Sequence, residues 1–347
     1  MRQFVISPFA VLVLLSLQSI TANALSPVSK EPGWSGFVSA GAGLTEIKSN
    51  TFAGNNFIDG GDSVIESIDQ KPKAYSNTNF IGGSEVRYTL SNQNEIFFGG
   101  SLEDILTMDF GTQLGWRKQA ENLGIFQTSF LFSSIPTEVW EDPYLTGTKR
   151  KETDRDSAGL RFVWDRIMGT AFELTMQGRK LDFGRERSGS DPRLRCDLTC
   201  QSQLDRNGDQ YQAWLSYTFR LGGRHIVRPQ IRLRVDDRDG DAVSRDAYSL
   251  QMTYSYLGTK WTFVTNALYG QSEFDKLNPL YGQREDTDTL LFDATVLYRL
   301  PVKSGRWQAL GSAFWGEGDS DISFHDDSLN MVSLGVIYNF GNQPGVR

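Results

Sequence analysis

From Trp34 almost to the C-terminus, apolar and polar residues alternate at every second position. Such alternation predicts strands with one face against an apolar medium and the other against water. In "GWSGFVSAGAGL", Trp34, Val38, Ala40, Ala42 and Leu44 share a face opposite Ser39, Gly41 and Gly43. "FIGGSEVRYTL" sets Phe80, Val86, Tyr88 and Leu90 against Glu85, Arg87 and Thr89. The pattern recurs in "EIFFGGSLE", "FGTQLGWR", "IFQTSFLFS", "SAGLRFVWD" and "AFELTMQGR". It is most regular in "YQAWLSYTFRL" and in "VRPQIRLRV". In the latter, Val227, Pro229, Ile231, Leu233 and Val235 face away from Arg228, Gln230, Arg232 and Arg234. "YSLQMTYSY", "WTFVTNALY", "LLFDATVLYRL", "WQALGSAFW" and the closing "SLGVIYNFG" complete a series of about 14 strands, with about 12 as the lower count.

The spacers fall into two classes that alternate along the chain. Residues 91–94, 222–224, 258–260 and 301–305 read as tight turns, whereas 49–78, 141–151, 183–208, 275–286 and 317–328 are long and polar. This is the pattern of an all-β, up-and-down antiparallel transmembrane barrel, with short periplasmic turns and long extracellular loops. An even strand number places both termini on the periplasmic side. A soluble β-sandwich also alternates. It does not explain why the apolar faces end in Trp34, Tyr88, Trp116, Trp164, Phe219, Tyr256, Trp261, Tyr298, Trp307, Trp315 and Phe340. Aromatics at strand ends fit an interfacial girdle.

The N-terminus names the compartment. "MRQFVISPFAVLVLLSLQSITANALS" has a cationic Arg2, an apolar run and the small triplet Ala22-Asn23-Ala24. Residues 1–24 therefore read as a secretory signal peptide, with the barrel occupying 25–347. No later apolar run reaches the roughly 18 residues of a membrane helix. Hydrophobic content of 39% and a mean hydropathy of −0.37 would by themselves indicate a soluble chain. Barrel strands are only half apolar, so that average carries little weight. The expected location is the outer membrane of a Gram-negative bacterium, in contact with lipid and lipopolysaccharide.

Charge is distributed unevenly. The chain carries a net −7, yet the polar phase of the strands holds Arg87, Arg117, Arg161, Arg179, Arg220, Arg228, Arg232, Arg234 and Arg299. Acids on that phase are Glu85, Glu103, Glu173 and Asp293. A net-basic wall would concentrate anions and lower their barrier to passage. Alternatively, the arginines and acids only fill and satisfy a polar interior. Both readings stand on sequence.

Catalytic groups are scarce. His225 follows a short turn, and His325 lies in the acidic stretch "GEGDSDISFHDDS" beside Asp321, Asp326 and Asp327. A rim protease would need a carboxylate–histidine pair activating water at the barrel mouth. One solvated acidic loop explains the same residues, so no enzymatic activity is expected. "DRNGD" and "DDRDGD" lack the full ligand spacing of a calcium loop, so no metal or cofactor is predicted. Arginines at every second strand position do not form an exposed nucleic-acid-binding patch. In an oxidising compartment, Cys196 and Cys200 can close a small disulfide ring.

The stretches "PGWSGFVSAGAG" and "TEVWEDPYLTGTKRKETDRDSAGLRFVWDRIMGT" resemble a family of gammaproteobacterial outer-membrane β-barrels, domain of unknown function 2860. The resemblance implies the barrel and supplies no activity. The last strand also resembles the signal read by the outer-membrane assembly machinery, with Ser333, Gly335, Tyr338 and Phe340 in the required positions. The tail 341–347 departs from it, because such chains often stop at the aromatic. The resulting expectation is a monomeric channel for small hydrophilic solutes, anions among them, with a plugged structural or adhesion barrel as the alternative.

Overall fold

The structure, a computed structural model, describes residues 25–55, 58–90, 93–100, 110–135 and 137–341. Residues 1–24, expected to form a signal peptide, Glu103 and the residues beyond Gly341 lie outside the described residues.

Eighteen strand segments form one closed antiparallel sheet. They are β1 (Gly33–Lys48), β2 (Phe52–Asn55), β3 (Ile58–Asp59), β4 (Ala74–Thr89), β5 (Asn94–Gly100), β6 (Phe110–Ala120), β7 (Gly124–Ile135), β8 (Thr137–Trp140) and β9 (Glu152–Asp165). The series continues with β10 (Phe172–Phe183), β11 (Gly208–Tyr217), β12 (Phe219–Leu221), β13 (His225–Arg238), β14 (Arg245–Leu257), β15 (Trp261–Phe274), β16 (Thr287–Arg299), β17 (Trp307–Ser320) and β18 (Asp327–Gly341). β8 prolongs β7 and β12 prolongs β11, since each pair flanks the same next strand. The β2–β3 hairpin belongs to the first long loop. The barrel wall therefore has 14 strands.

Closure is made by the first and last strands. β1 pairs with β18 from Ser35↔Gly341 to Lys48↔Ser328, while its other edge pairs with β4. This seam joins the first strand to the last, which matters because lipid cannot hydrogen-bond a bare strand. Gly41 sits opposite Gly335 in this seam, and a side chain at Gly41 would collide with the Leu334 carbonyl. Strands approach closely there because neither residue carries a Cβ.

Burial is inverted relative to a soluble domain. On the outer face Leu334 is 72% exposed and Leu160 62%, whereas inward Glu85 and Arg117 are 0% and 3% exposed. The outer band ends at the short-turn side in cross-strand aromatic pairs: Trp34–Tyr88 at 4.8 Å, Trp261–Tyr298 at 4.4 Å and Trp307–Tyr338 at 4.8 Å. An amphipathic ring stacked at this level anchors the barrel at the periplasmic interface.

The long acidic loop foreseen over 317–328 is shorter than its composition implied. β17 runs on to Ser320 and β18 begins at Asp327, because Glu317 and Asp319 continue the ladder opposite Leu290 and Asp288. Likewise β4 starts at Ala74 and pairs with β1 along its whole length.

Orientation can be tested directly. Leu334→Arg places a cation in lipid and should cost about 2–4 kcal/mol in denaturant unfolding from vesicles. Thr295→Arg, on the inward face of β16, should cost less than about 1 kcal/mol in the same assay.

Candidate functional site

The inward face divides by strand. From β4 to β13 it is charged. Glu85 accepts from Arg87 on the same strand. Arg117 donates to Glu95 at 3.0 Å and to Gln127, with its guanidinium 4.9 Å from the Phe97 ring. Arg161 donates to Gln177 at 2.8 Å, and Arg179 reaches Ser157 at 3.5 Å. Arg228 bridges Glu173 and Ser216. Asp236 gathers Arg234, Arg238 and Arg245 at 2.7, 3.2 and 2.8 Å. Trp214 projects inward between two guanidiniums, with Arg161 at 5.8 Å and Arg232 at 4.9 Å.

Of the predicted lining, the structure joins Glu85 with Arg87 and Glu173 with Arg228. Arg220 lies exposed on β12 at the periplasmic rim, and Arg299 lies half-buried at the same level. Asp293 accepts from Asn266 at 2.9 Å and stands apart from the arginines. The arginines and acids therefore form a paired network on one side of the barrel. Sequence reading missed Glu95, Asp165, Asp236, Arg238 and Arg245. The first two lie on the polar phase of their strands and were legible by parity. The cluster around Asp236 sat in a stretch read as a calcium-like turn.

From β14 through β18 to β1 the inward face is almost neutral. Gln251, Thr253, Asn266, Thr295 and Ser312 alternate with Leu268, Leu291, Phe314, Leu329 and Met331. Most of these are half-buried, as are Arg228, Arg232 and Arg234 on β13, whereas Glu85, Glu95, Arg117, Arg161 and Arg179 are buried, so the water-accessible part of the lumen borders the neutral side and the β13 edge of the network. Below it, Phe37, Leu297, Leu310 and Ile337 form an apolar cluster near the short-turn end.

Both ends are restricted. At the periplasmic end, residues 25–32 run from β1 to the other side of the opening. Val28 is buried there with its N–H on Gln119 at 3.0 Å, and Arg166 holds the Leu25 carbonyl at 3.0 Å.

At the extracellular end the loops interlock in a dome. Ile65, Tyr144, Leu204, Ala242, Ile322 and Phe324, drawn from five loops, share one apolar core. Arg150 stacks 4.2 Å above Trp140 and donates to the carbonyls of Asn50, Asp62 and Pro143. Asp142 accepts four bonds, from the backbone N–H of Tyr144, Gly189 and Asp191 and from the Ser190 hydroxyl. Cys196 and Cys200 are disulfide-bonded at the start of α1 (Leu198–Gln203), and Cys196 packs on the core.

His325 is not in a solvated acidic loop. It is enclosed in the dome, with Nδ1 3.2 Å from Glu285 and Nε2 3.3 Å from the Tyr144 hydroxyl. Nothing in the sequence joined residues 144, 285 and 325. Three separate loops bring them together. His225 lies exposed at the girdle against Tyr254. Among the described residues, no His, Cys, Asp and Glu cluster is placed to hold a metal. On β18, Ser333 faces inward while Tyr338 and Phe340 lie on the outward phase.

The family model described as "Protein of unknown function (DUF2860)" matches residues 33–339. Among solved structures, the TodX ΔS2S3 mutant monoaromatic hydrocarbon channel is 11% identical, with 90% of this chain and 92% of that chain covered and a TM-score of 0.46. The outer membrane channel DcaP of Acinetobacter baumannii is 9% identical over 92% and 99% of the two chains, with a TM-score of 0.45. OmpT, an outer membrane protein of Vibrio cholerae, is 11% identical over 88% and 98%, with a TM-score of 0.38. No curated protein matches the chain significantly.

The dome makes its own closure pH-dependent. Burial pushes the Glu285 carboxyl up to about 8, with Asp327 adding to the rise and Arg245 and Asn278 opposing it. Burial also pulls His325 down to about 3, reinforced by the cationic Arg206 and Arg245. In a closed dome the pair thus holds one proton, on Glu285, throughout the range between these values. Once exposed, the groups return towards 4.5 and 6.5. The open state then binds one proton more than the closed state below 4.5, the same number between 4.5 and 6.5, and one fewer above 6.5. Closure should be strongest in that middle window and weaken by about tenfold per pH unit on either side. Limited proteolysis of loop 184–207 against pH measures this, and Glu285→Gln should abolish the alkaline limb and move the onset of the acid limb from 4.5 up to 6.5.

Proposed function

We propose that this chain, which belongs to the DUF2860 family, is an outer-membrane channel of a Gram-negative bacterium that passes small solutes through its lumen. The observation that carries the reading is the water-accessible, half-buried face of Gln251, Thr253, Asn266, Asp293, Thr295 and Ser312 inside a closed transmembrane barrel. Inward polar side chains that water reaches along several adjacent strands describe a passage. A barrel packed solid would bury them as it buries Glu85 and Arg117.

Transport then depends on three parts. The neutral side supplies the hydrated path, the arginine network opposite supplies an electrostatic bias, and the dome with the N-terminal segment restricts entry. Because Arg87, Arg117, Arg228 and Arg234 are already paired with carboxylates, the bias towards anions is mild. The chain reaches the membrane through the assembly machinery, with Ser333, Gly335, Tyr338 and Phe340 as its address, and contacts lipopolysaccharide with its outer leaflet half. No catalytic step is assigned to it.

The interlocked dome favours one other reading, a closed barrel that acts through its surface loops. Planar-bilayer recording separates the two. The channel predicts discrete conductance steps that are small for the native chain and at least twofold larger when residues 186–206 are replaced by a short linker. Neutralising Arg228, Arg232 and Arg234 together should reduce anion over cation permeability by about twofold. Absence of steps from both the native and the shortened chain would leave only the surface role.

A further inference from the structure

The neutral side of the lumen holds more apolar surface than a path for hydrophilic solutes needs. Leu268 stands opposite Leu291 across the β15–β16 ladder. Leu291 adjoins Gly316 on β17, and Gly316 in turn adjoins Leu329 on β18. Phe314 pairs with Met331 one step below. A methyl group on Gly316 would collide with both Leu291 and Phe314, so these two side chains fold over the glycine and touch the same spot. The result is a continuous apolar patch on the inward faces of four adjacent strands, β15 to β18. All of it except Leu268 is half-buried and therefore reached by water.

Apolar surface left open to water inside a polar lumen lowers stability unless something covers it, and contiguous exposed patches mark binding sites. Lipid cannot cover this one, because it faces away from the membrane. In the closed order of the wall, β17 lies half-way round from β9 and β18 half-way round from β10. Those opposing strands carry Arg161 and Arg179, buried against Gln177 and Ser157, and β13, two strands on from β10, carries the half-buried Arg232 beside Trp214. An apolar surface on one side and guanidiniums on the other are complementary to a solute with an apolar body and a negative head. A sugar would leave the patch uncovered, and a neutral hydrocarbon would gain nothing from the positive charge of the opposite wall.

We propose that the lumen binds amphipathic monoanions, with the alkyl or aryl body against Leu291, Phe314 and Met331 and the carboxylate or sulfonate towards the arginine wall. This rests on reading the lumen as a passage and adds the class of molecule that uses it. A neutral side alone would give weak, size-limited diffusion. The patch converts it into a site with preference.

The test uses the full chain in detergent-free nanodiscs, with 4-butylbenzoate as probe and saturation-transfer NMR as readout. Expected are saturable binding of 4-butylbenzoate, at least tenfold weaker binding of benzoate, and at least tenfold weaker binding of the matching 4-butylbenzyl-trimethylammonium cation. Phe314→Ser combined with Leu291→Asn should weaken 4-butylbenzoate at least tenfold, provided heat-modifiable gel migration shows the variant barrel to be folded. Equal binding of anion and cation, unchanged binding in the folded double variant, or no saturable binding would each overturn the proposal. A chain that conducts in bilayers but fails here loses only this inference. One that binds but does not conduct loses the channel and keeps the site.

Discussion

Everything in this molecule follows from the requirement that a sheet in lipid have no open edge. Each backbone N–H and C=O that entered the hydrocarbon without a partner would cost several kcal/mol, so the sheet must return to itself. The β1–β18 seam meets that requirement, and the Gly41–Gly335 pair lets it close tightly. Once the sheet is closed, the pleat assigns every second residue to lipid and the others to the interior. The outer set has only to be apolar and to end in aromatics. The inner set is free to vary, and function resides there.

That freedom is used asymmetrically. On the β4–β13 side, arginines and carboxylates neutralise one another and stack on Phe97 and Trp214, which fills the space and leaves little for water. A buried guanidinium is tolerated because its planar fork can satisfy several acceptors at once. On the other side, residues are smaller or uncharged, and space remains. The packed half acts as a rigid wall against which the open half is defined. A lumen in which both halves carried paired charges would be filled, and one in which neither did would give no electrostatic preference.

The fold was legible in the sequence because the alternation that lipid imposes is local and repeats along every strand. The loops 141–151 and 275–286 were bounded correctly, since apolar alternation stops at both of their ends. It failed where strands rise above the apolar belt. Glu317 and Asp319 are paired strand residues that hydropathy reads as loop. The charged residues stand out on the polar phase of the sequence, but their partners do not. A partner is set by register between strands, as when Arg228 on β13 reaches Glu173 two strands away, and register is not written in either strand alone. The apolar residues Leu291, Phe314 and Met331 were visible as exceptions to the polar phase. Only the ladders between strands place them side by side.

The dome obeys a different physics from the wall beneath it. Its residues come from loops with little regular structure, so its backbone is held by side chains such as Arg150, Asn50 and Asp142 in place of ladders. Its apolar core is small, and its ionisable pair, Glu285 with His325, is kept in protonation states that water would reverse. Local stability follows the number of buried contacts and the exposure of backbone hydrogen bonds, so the dome belongs to the low-stability end of the molecule. The barrel cannot open without breaking the seam, whereas the dome touches the wall ladders only where β2 pairs with β8. Closure and passage are thus assigned to separate parts of the chain. The energy that holds the protein in the membrane places no limit on how easily its mouth can move.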